Sequence, residues 1–375
     1  MLYMDDYYVG GGGYLSQSPY YGAMASEGLL GNPAIEWEKV HKQNYGIDLG
    51  LGNCITLHFD YFRERTNDMV VQSQLFPDFS GTDRNNLPYV NFGKMHNNGF
   101  DFDVTFRKQL TKDWTLSVGA RGGYAKNKVE SVGELDRTEA GYAYGLRTEG
   151  HSIGTTWGYL IDYSQGRGFY NSLEEIADGP IFEGQSPRVG DFRYVDLNKD
   201  GYINDKDLAP FSGTDIPTFN YGFDAAAQWR GFDLYVLFQG ASGRTFYTSG
   251  LGAMENEARG TYADIHLHAY TPERYATGTE ITYPALTSTT STSLQANSFF
   301  VTKRNYMRLK TLEFGYSLPS KICRKATLQG VRFYFNGMNL LTFDKRKFKD
   351  FDVEAYNASS YPIYRTYNLG VNVTF

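Results

Sequence analysis

Arg365-Thr-Tyr-Asn-Leu-Gly-Val-Asn-Val-Thr-Phe375 decides how this chain folds. Tyr367, Leu369, Val371, Val373 and Phe375 take every second position, with Asn368, Gly370, Asn372 and Thr374 between them. A period of two sends each set to its own face of a strand. One face is then bulky and apolar, the other small or polar. That division suits a strand with hydrocarbon on one side and a wet interior on the other. The pattern recurs upstream. Phe100, Phe102, Val104 and Phe106 alternate with Asp101, Asp103 and Thr105, and Ile55, Leu57, Phe59 and Tyr61 alternate with Thr56, His58 and Asp60.

The composition agrees. Aromatics make up 16% of the 375 residues, with Tyr 31 and Phe 26, a weighting that fits rings held where lipid meets water. Mean hydropathy is −0.46, and no apolar run reaches the ~18 residues of a transmembrane helix. A barrel escapes both criteria, because only alternate strand residues meet lipid and its outer loops are polar. The net charge of −6 gives no footprint for nucleic acid. Residues 1–6 show no secretory leader. Cys54 and Cys323 lie far apart in strand-like contexts and read as isolated thiols.

Taken in order, residues 1–31 read as loop with one weak strand over 7–14, broken by Gly10 to Gly13. Asn32-Pro33 turns the chain and Trp37 is a candidate interfacial anchor. Alternation predicts strands over 42–51, 55–61, 98–106, 114–128, 221–229, 232–240, 306–318, 331–342 and 365–375, about ten or eleven in all. A polar loop is expected over 72–93 and long insertions over 130–218 and 244–304, the first with a short helix at 172–177. Tight turns thus alternate with long loops, the asymmetry of an outer-membrane barrel.

Asp196-Leu-Asn198-Lys-Asp200-Gly201-Tyr202-Ile-Asn204-Asp-Lys-Asp207 matches the twelve-residue calcium pattern. Side chains at positions one, three and five converge, glycine at six permits a sharp turn, and the carbonyl of Tyr202 and the acid Asp207 complete an oxygen shell. Aspartate replaces the usual glutamate at position twelve. The expected role of Ca2+ is to stiffen a loop; the alternative is an Asx-rich turn without metal. Tyr142, Tyr144, Trp157, Tyr159, Tyr163, Phe169 and Tyr170 are loop rings. Trp157, Tyr159 and Tyr163 are the candidates for stacking on a sugar face, against packing inside the loop. His266-Leu-His268 has the i, i+2 spacing of a shared metal on a strand but no third ligand, so surface histidines are expected. The 287–293 Ser/Thr tract reads as a flexible loop. No nucleophile elbow, phosphate loop or zinc signature occurs, and no acid pair stands out, so no enzyme is expected.

Several stretches occur in one family's order across nearly the whole chain. They are Asn32-Pro33 through Trp37-Glu38-Lys39, and Gly190-Asp191 through Asp200-Gly201. Then come Gly213 to Pro217 with Tyr221-Gly222, and Thr271-Pro272-Glu273 to Tyr283-Pro284. The last are Asn305 to Leu309 through Gly315 to Pro319, Asn336-Gly-Met-Asn339-Leu340, and Tyr361-Pro362 to Phe375. In these the chain resembles the C-terminal half of a SusC/RagA-type TonB-dependent outer-membrane transporter. The resemblance implies an all-β fold, part of a 22-stranded antiparallel transmembrane β-barrel. Residues 130–218 would be a long extracellular loop region holding the calcium-type loop 196–207, and 244–304 a second. The family's plug and coupling box belong upstream and are not in this chain. The implied function is import of a large nutrient, an oligosaccharide or an oligopeptide. The implied partners are a SusD-like lipoprotein, TonB-ExbB-ExbD acting through the plug, the N-terminal half of the barrel, and outer-membrane lipid and lipopolysaccharide. A non-transporting binding barrel and a soluble calcium-stabilised β-protein are the alternatives.

Overall fold

The structure, a computed structural model, describes residues 4–15, 18–72, 84–250, 252–255, 262–356 and 358–375. The chain opens with a hairpin of β1 (Tyr7–Leu15) and β2 (Ser18–Glu27). Four long strands follow: β3 (Lys39–Leu51), β4 (Ile55–Gln72), β5 (Tyr89–Gln109) and β6 (Trp114–Ser131). A long insertion holds β7 (Trp157–Gly158), α1 (Leu173–Asp178), β8 (Ile181–Phe182), β9 (Tyr202–Ile203) and β10 (Ala209–Pro210). Next come β11 (Phe219–Trp229) and β12 (Phe232–Ser242), then a second insertion with β13 (Thr245–Tyr247), α2 (Pro272–Ala276) and β14 (Val301–Lys303). β15 (Tyr306–Ser317), α3 (Ser320–Lys325), β16 (Gly330–Asp344) and β17 (Thr366–Thr374) complete the chain.

Nine strands form one sheet in the order β3-β4-β5-β6-β11-β12-β15-β16-β17. Every neighbour in the sheet is the next long strand in sequence, and every pairing is antiparallel. This is an up-and-down wall with two edges, β3 and β17. Tight connections (residues 52–54, 110–113 and 230–231, and the α3 turn) lie at one end, and all long insertions lie at the other.

The two faces differ as the period-two pattern demands. On one face a Cβ at Gly122 would meet the rings of Phe102 and Phe219. Phe59 stacks on Phe100 and Phe100 on Tyr124, at 6.0 and 5.6 Å. Val118, Phe223, Phe314, Phe333 and Val371 stand exposed there, and Leu369 is 86% exposed. So much contiguous exposed apolar surface marks a membrane contact. On the opposite face a Cβ at Gly123 would meet Asp101, and one at Gly119 would meet Asp224. The apolar face is bounded by rings at both ends. At the turn end Trp114 stacks on Trp229, and Phe232 packs on Trp229, Phe314 and Tyr316. From Trp114 to Tyr124 on β6, ~3.3 Å per residue and a tilt of ~40° give a height of roughly 25 Å, the apolar band of an outer-membrane barrel.

Several expectations need correction. Tyr7–Leu15 and Ser18–Glu27 form a paired hairpin rather than loop with one weak strand, because a glycine-rich backbone still makes the ladder, with one register shift between Gly11 and Gly13. β4 runs on to Gln72 and β5 begins at Tyr89. The loop expected over 72–93 is therefore shorter, and its residues 73–83 lie outside the described residues. Cys323 lies in α3, buried, and Cys54 lies in the turn before β4; both are free thiols. The expected short helix is α1, capped by Ser172, whose side chain accepts a hydrogen bond from the Glu175 amide.

Candidate functional site

The polar face of the wall carries a charge network built across strands. Arg332 of β16 reaches Asp233 of β12 at 2.5 Å and Glu313 of β15 at 2.6 Å, and Asn336 donates to the other Glu313 oxygen at 3.1 Å. On the neighbouring half, Arg121 of β6 pairs with Asp224 of β11 at 2.5 Å and lies 3.7 Å from Asp103 of β5. These groups are partly solvated, so each pair alone contributes little to stability. Together they coat the face opposite the apolar one with charge and hydrogen-bonding groups, as the wall of a water-filled interior requires. The pairing of Arg332 with two strands is not legible in any one segment, because it depends on register between β12, β15 and β16.

The insertions fold together over the open end. Ile161, Phe169, Phe192, Tyr194 and Ile203 from the first pack with Ala253, Met254, Tyr270, Ile281, Tyr283, Phe299 and Phe300 from the second, and with Phe348 and Phe351 after β16. Arg308 fastens β15 to this last segment through Asp352 at 2.7 Å and Glu354 at 3.3 Å. Arg304 is buried with its guanidinium 4.0 Å from the Phe246 ring; burial among cations pushes it down to about 10.

The Ser/Thr tract is the main correction here. Thr287, Ser291, Thr292 and Ser293 are buried rather than flexible. The Ser291 hydroxyl donates to Asp191 at 3.0 Å, and the Phe192 amide donates to the Ser293 hydroxyl at 2.8 Å. Asp191, itself buried, also accepts from the Arg188 amide at 2.8 Å and pairs with its guanidinium at 3.0 Å. Short hydroxyl side chains satisfy a buried carboxylate that the tract's polarity alone could not reveal. His266 likewise is buried, in a 3-10 turn (Asp264–His268) rather than on a strand. Its ring packs edge-on to Tyr283 at 4.6 Å and its Nδ1 accepts from the Ala263 amide at 2.8 Å. Tyr283 donates to the buried Glu255 at 2.5 Å.

The calcium-type loop is wound on its own backbone. Asp196 accepts from the Lys199 amide at 2.7 Å and the Gly201 amide at 2.9 Å, and Asp200 from the Tyr202 amide at 2.9 Å. Asp207 accepts from Leu197 at 2.8 Å and from Asn204 at 3.0 Å, so residue twelve closes onto residue two. Lys199 and Gly201 take left-handed φ of +62° and +86°. Burial raises the Asp207 carboxyl above the usual range, while hydrogen bonding to Tyr202 and Asn198 lowers Asp200. The donor set is all oxygen, as a hard cation needs. Among the described residues no three acidic, histidine or cysteine side chains converge as a metal cluster.

The three candidate sugar-stacking rings do not share one surface. Tyr159 packs on Tyr194 and Phe182 at 5.2 and 5.6 Å, and burial pushes its hydroxyl up to about 12. Trp157 is half-buried, edge-on to His151 at 5.4 Å. Tyr163 is exposed.

The profile described as "TonB dependent receptor-like, beta-barrel" matches residues 4–208, more than half of the chain. A TonB-dependent receptor of Formosa agariphila is 28% identical, with 92% of this chain and 35% of that protein covered. The TonB-dependent receptor SusC of Bacteroides thetaiotaomicron is 22% identical, with 92% and 32% covered. The structure of the RagAB peptide transporter superposes with a TM-score of 0.69 at 21% identity, covering 100% of this chain and 39% of that one. The chain thus spans about a third of the length of the curated relatives it matches.

Proposed function

The chain belongs to the TonB-dependent receptor-like β-barrel family of the outer membrane, and from that premise we propose that it forms the C-terminal wall of a transporter importing a large nutrient. The observation that carries this is the two-faced sheet. One face of exposed apolar residues ~25 Å tall opposes a face of paired charges, with both edge strands, β3 and β17, left free to join further strands. The long insertions face the cell exterior and the tight turns face the periplasm. The remaining barrel strands, a plug and TonB-ExbB-ExbD act with it, and a SusD-like lipoprotein covers the capped rim.

An oligosaccharide is the leading cargo. Exposed Tyr163 and half-buried Trp157 offer rings for sugar faces, and the charged inner face offers hydrogen bonds to hydroxyls. An oligopeptide is the second reading, favoured by the likeness to a structure whose title names a peptide transporter. Deleting the full-length protein from its source cell should abolish growth on one glycan and spare growth on peptides. Loss on peptides alone moves the assignment to the second reading, and loss on neither overturns import.

The 196–207 loop is assigned a structural calcium ion held by Asp196, Asn198, Asp200, the Tyr202 carbonyl and Asp207. Limited proteolysis of this loop should quicken when a chelator is added to the full-length protein. Chelator-insensitive cleavage, identical in wild type and Asp200→Ala, removes the ion from the account.

A further inference from the structure

Above Tyr124 the wall forks. Tyr124 belongs to the upper ring row, in which Tyr61, Phe100, Tyr124 and Phe219 are successive cross-strand partners. The ladder between β6 and β11 ends at that row, apart from one further bond from the Ala125 amide to the Thr218 carbonyl at 2.9 Å. Higher up, β6 has changed partner. The Val129 amide donates to the His151 carbonyl and the Gly150 amide to the Val129 carbonyl, each at 2.9 Å. Between the two ladders opens a cleft of about 700 Å³. Lys126, Asn127 and Lys128 all line it, so both faces of β6 border the opening. Arg244 and Lys303 line its far side, and no carboxylate does, in a chain where acids outnumber bases 42 to 36. Lys126, Lys128 and Lys303 make no ion pair among the described residues. Arg244 donates to the carbonyls of Asp215 and Val353, at 2.6 and 3.5 Å, so no acid neutralises it either. The Asp215 carboxylate itself turns toward Gly154, outside the lining.

The hydroxyls of the cleft call for the opposite partner. Ser152 gives its proton to the Asn127 carbonyl at 2.7 Å, and Thr155 gives its own to the Ser152 carbonyl at 2.8 Å. Their oxygens are left as acceptors, which repel an anion and attract a hydroxyl proton. One ligand suits both sets only if it carries negative charge and donor hydroxyls on the same frame. From this pairing we infer that the fork docks an acidic oligosaccharide, its charges carboxylates or sulfate esters. This deepens the oligosaccharide reading above and rests on it. Trp157 borders the site, since its ladder partner Pro210 and its ring neighbour His151 both line the cleft. Its ring gives a sugar a face to stack on. The strand rise sets Lys126 and Lys128 ~7 Å apart on one face, so two charges along one chain are met together. The apolar side chains of the lining are Tyr124, Pro210 and Phe211, too few to seat an acyl chain.

The test titrates full-length protein in detergent with five probes. They are an oligogalacturonate, a sulfated oligosaccharide of carrageenan, a neutral maltooligosaccharide of the same length, an oligoaspartate and bisphosphorylated lipid A. At least one acidic sugar chain should bind, more weakly as salt is raised, and the neutral chain should not displace it. Lys126→Gln combined with Lys128→Gln should weaken that binding about a hundredfold, about tenfold for each lost hydrogen bond to a charge. Lys→Arg at both positions should keep it. Equal binding by wild type and the Gln variant overturns the cleft as the site and leaves sugar cargo standing. A neutral chain held as tightly as the acidic ones overturns the acidic assignment. Lipid A bound by a protein that takes neither acidic chain overturns the soluble ligand. Oligoaspartate bound where no sugar chain binds condemns the oligosaccharide reading itself, and the inference falls with it.

Discussion

Asp191 shows how much one buried side chain can organise. It accepts hydrogen bonds from Arg188 and Ser291 and so joins the two large insertions. Asp191→Ala should leave those donors unpaired and destabilise the cap by about 3 kcal/mol, read as a lowered melting temperature of loop protection with the sheet still folded. His266 carries the pH dependence. Burial lowers its imidazole pKa, against the opposing pull of the Glu255 carboxylate, the Ala253 and Ala263 backbone and the Asp350 carboxylate; Tyr262 and Tyr283 pack on the ring. The open chain therefore takes up a proton first as pH falls below about 6.5, the ordinary histidine value. The stabilisation is complete above that pH and is lost below it, down to the lowered folded value. Amide exchange across 262–300, corrected for intrinsic rate, should be faster at pH 5 than at pH 7.5, and His266→Gln should flatten the difference. Neither residue announced its part. Asp191 sits in an ordinary polar string, and His266 owes its burial and its electrostatics partly to Tyr283 and Glu255, which lie outside its own turn.

At the scale of the strand, legibility followed the solvent. Between the ring rows, lipid and water lie on opposite faces, and alternation located all nine sheet strands. Beyond Tyr61 on β4 the sequence runs Phe62-Arg-Glu-Arg-Thr66, polar at nearly every position. Water reaches both faces there, so the period-two signal vanishes while the ladder continues to Gln72. β2 was missed because its bulky residues, Tyr20, Tyr21 and Met24, are not spaced at a period of two. The two faces make a sharp test. Val118→Arg on the lipid face of β6, midway between the two ring rows, should cost about 2–4 kcal/mol, whereas Asn372→Arg on the inner face of β17 should stay within about 1 kcal/mol. Denaturant titration in bilayers measures both, and equal costs would contradict the assignment of faces. Gly99→Ala tests strand contact, because its Cβ would run into the Tyr124 carbonyl oxygen, backbone that cannot swing aside. A loss of about 1–3 kcal/mol is expected.

For the molecule as a whole, the sheet order was readable from the alternation of tight turns and long insertions, since neighbours in sequence are neighbours in space. The packing of the insertions was not, because a core assembled from three distant segments has no period. That shared core changes how passage across the rim is to be pictured in the proposed transporter. Phe192, Tyr283, Phe300 and Phe348 lock the segments to one another, and Arg308 bolts them to the wall. Swinging any one aside would strip apolar area at about 25 cal/mol per Å². On the proposed import reading, this side of the opening is a door frame, not a door: whatever admits cargo hinges on some other body, and these loops supply the fixed jamb against which it shuts.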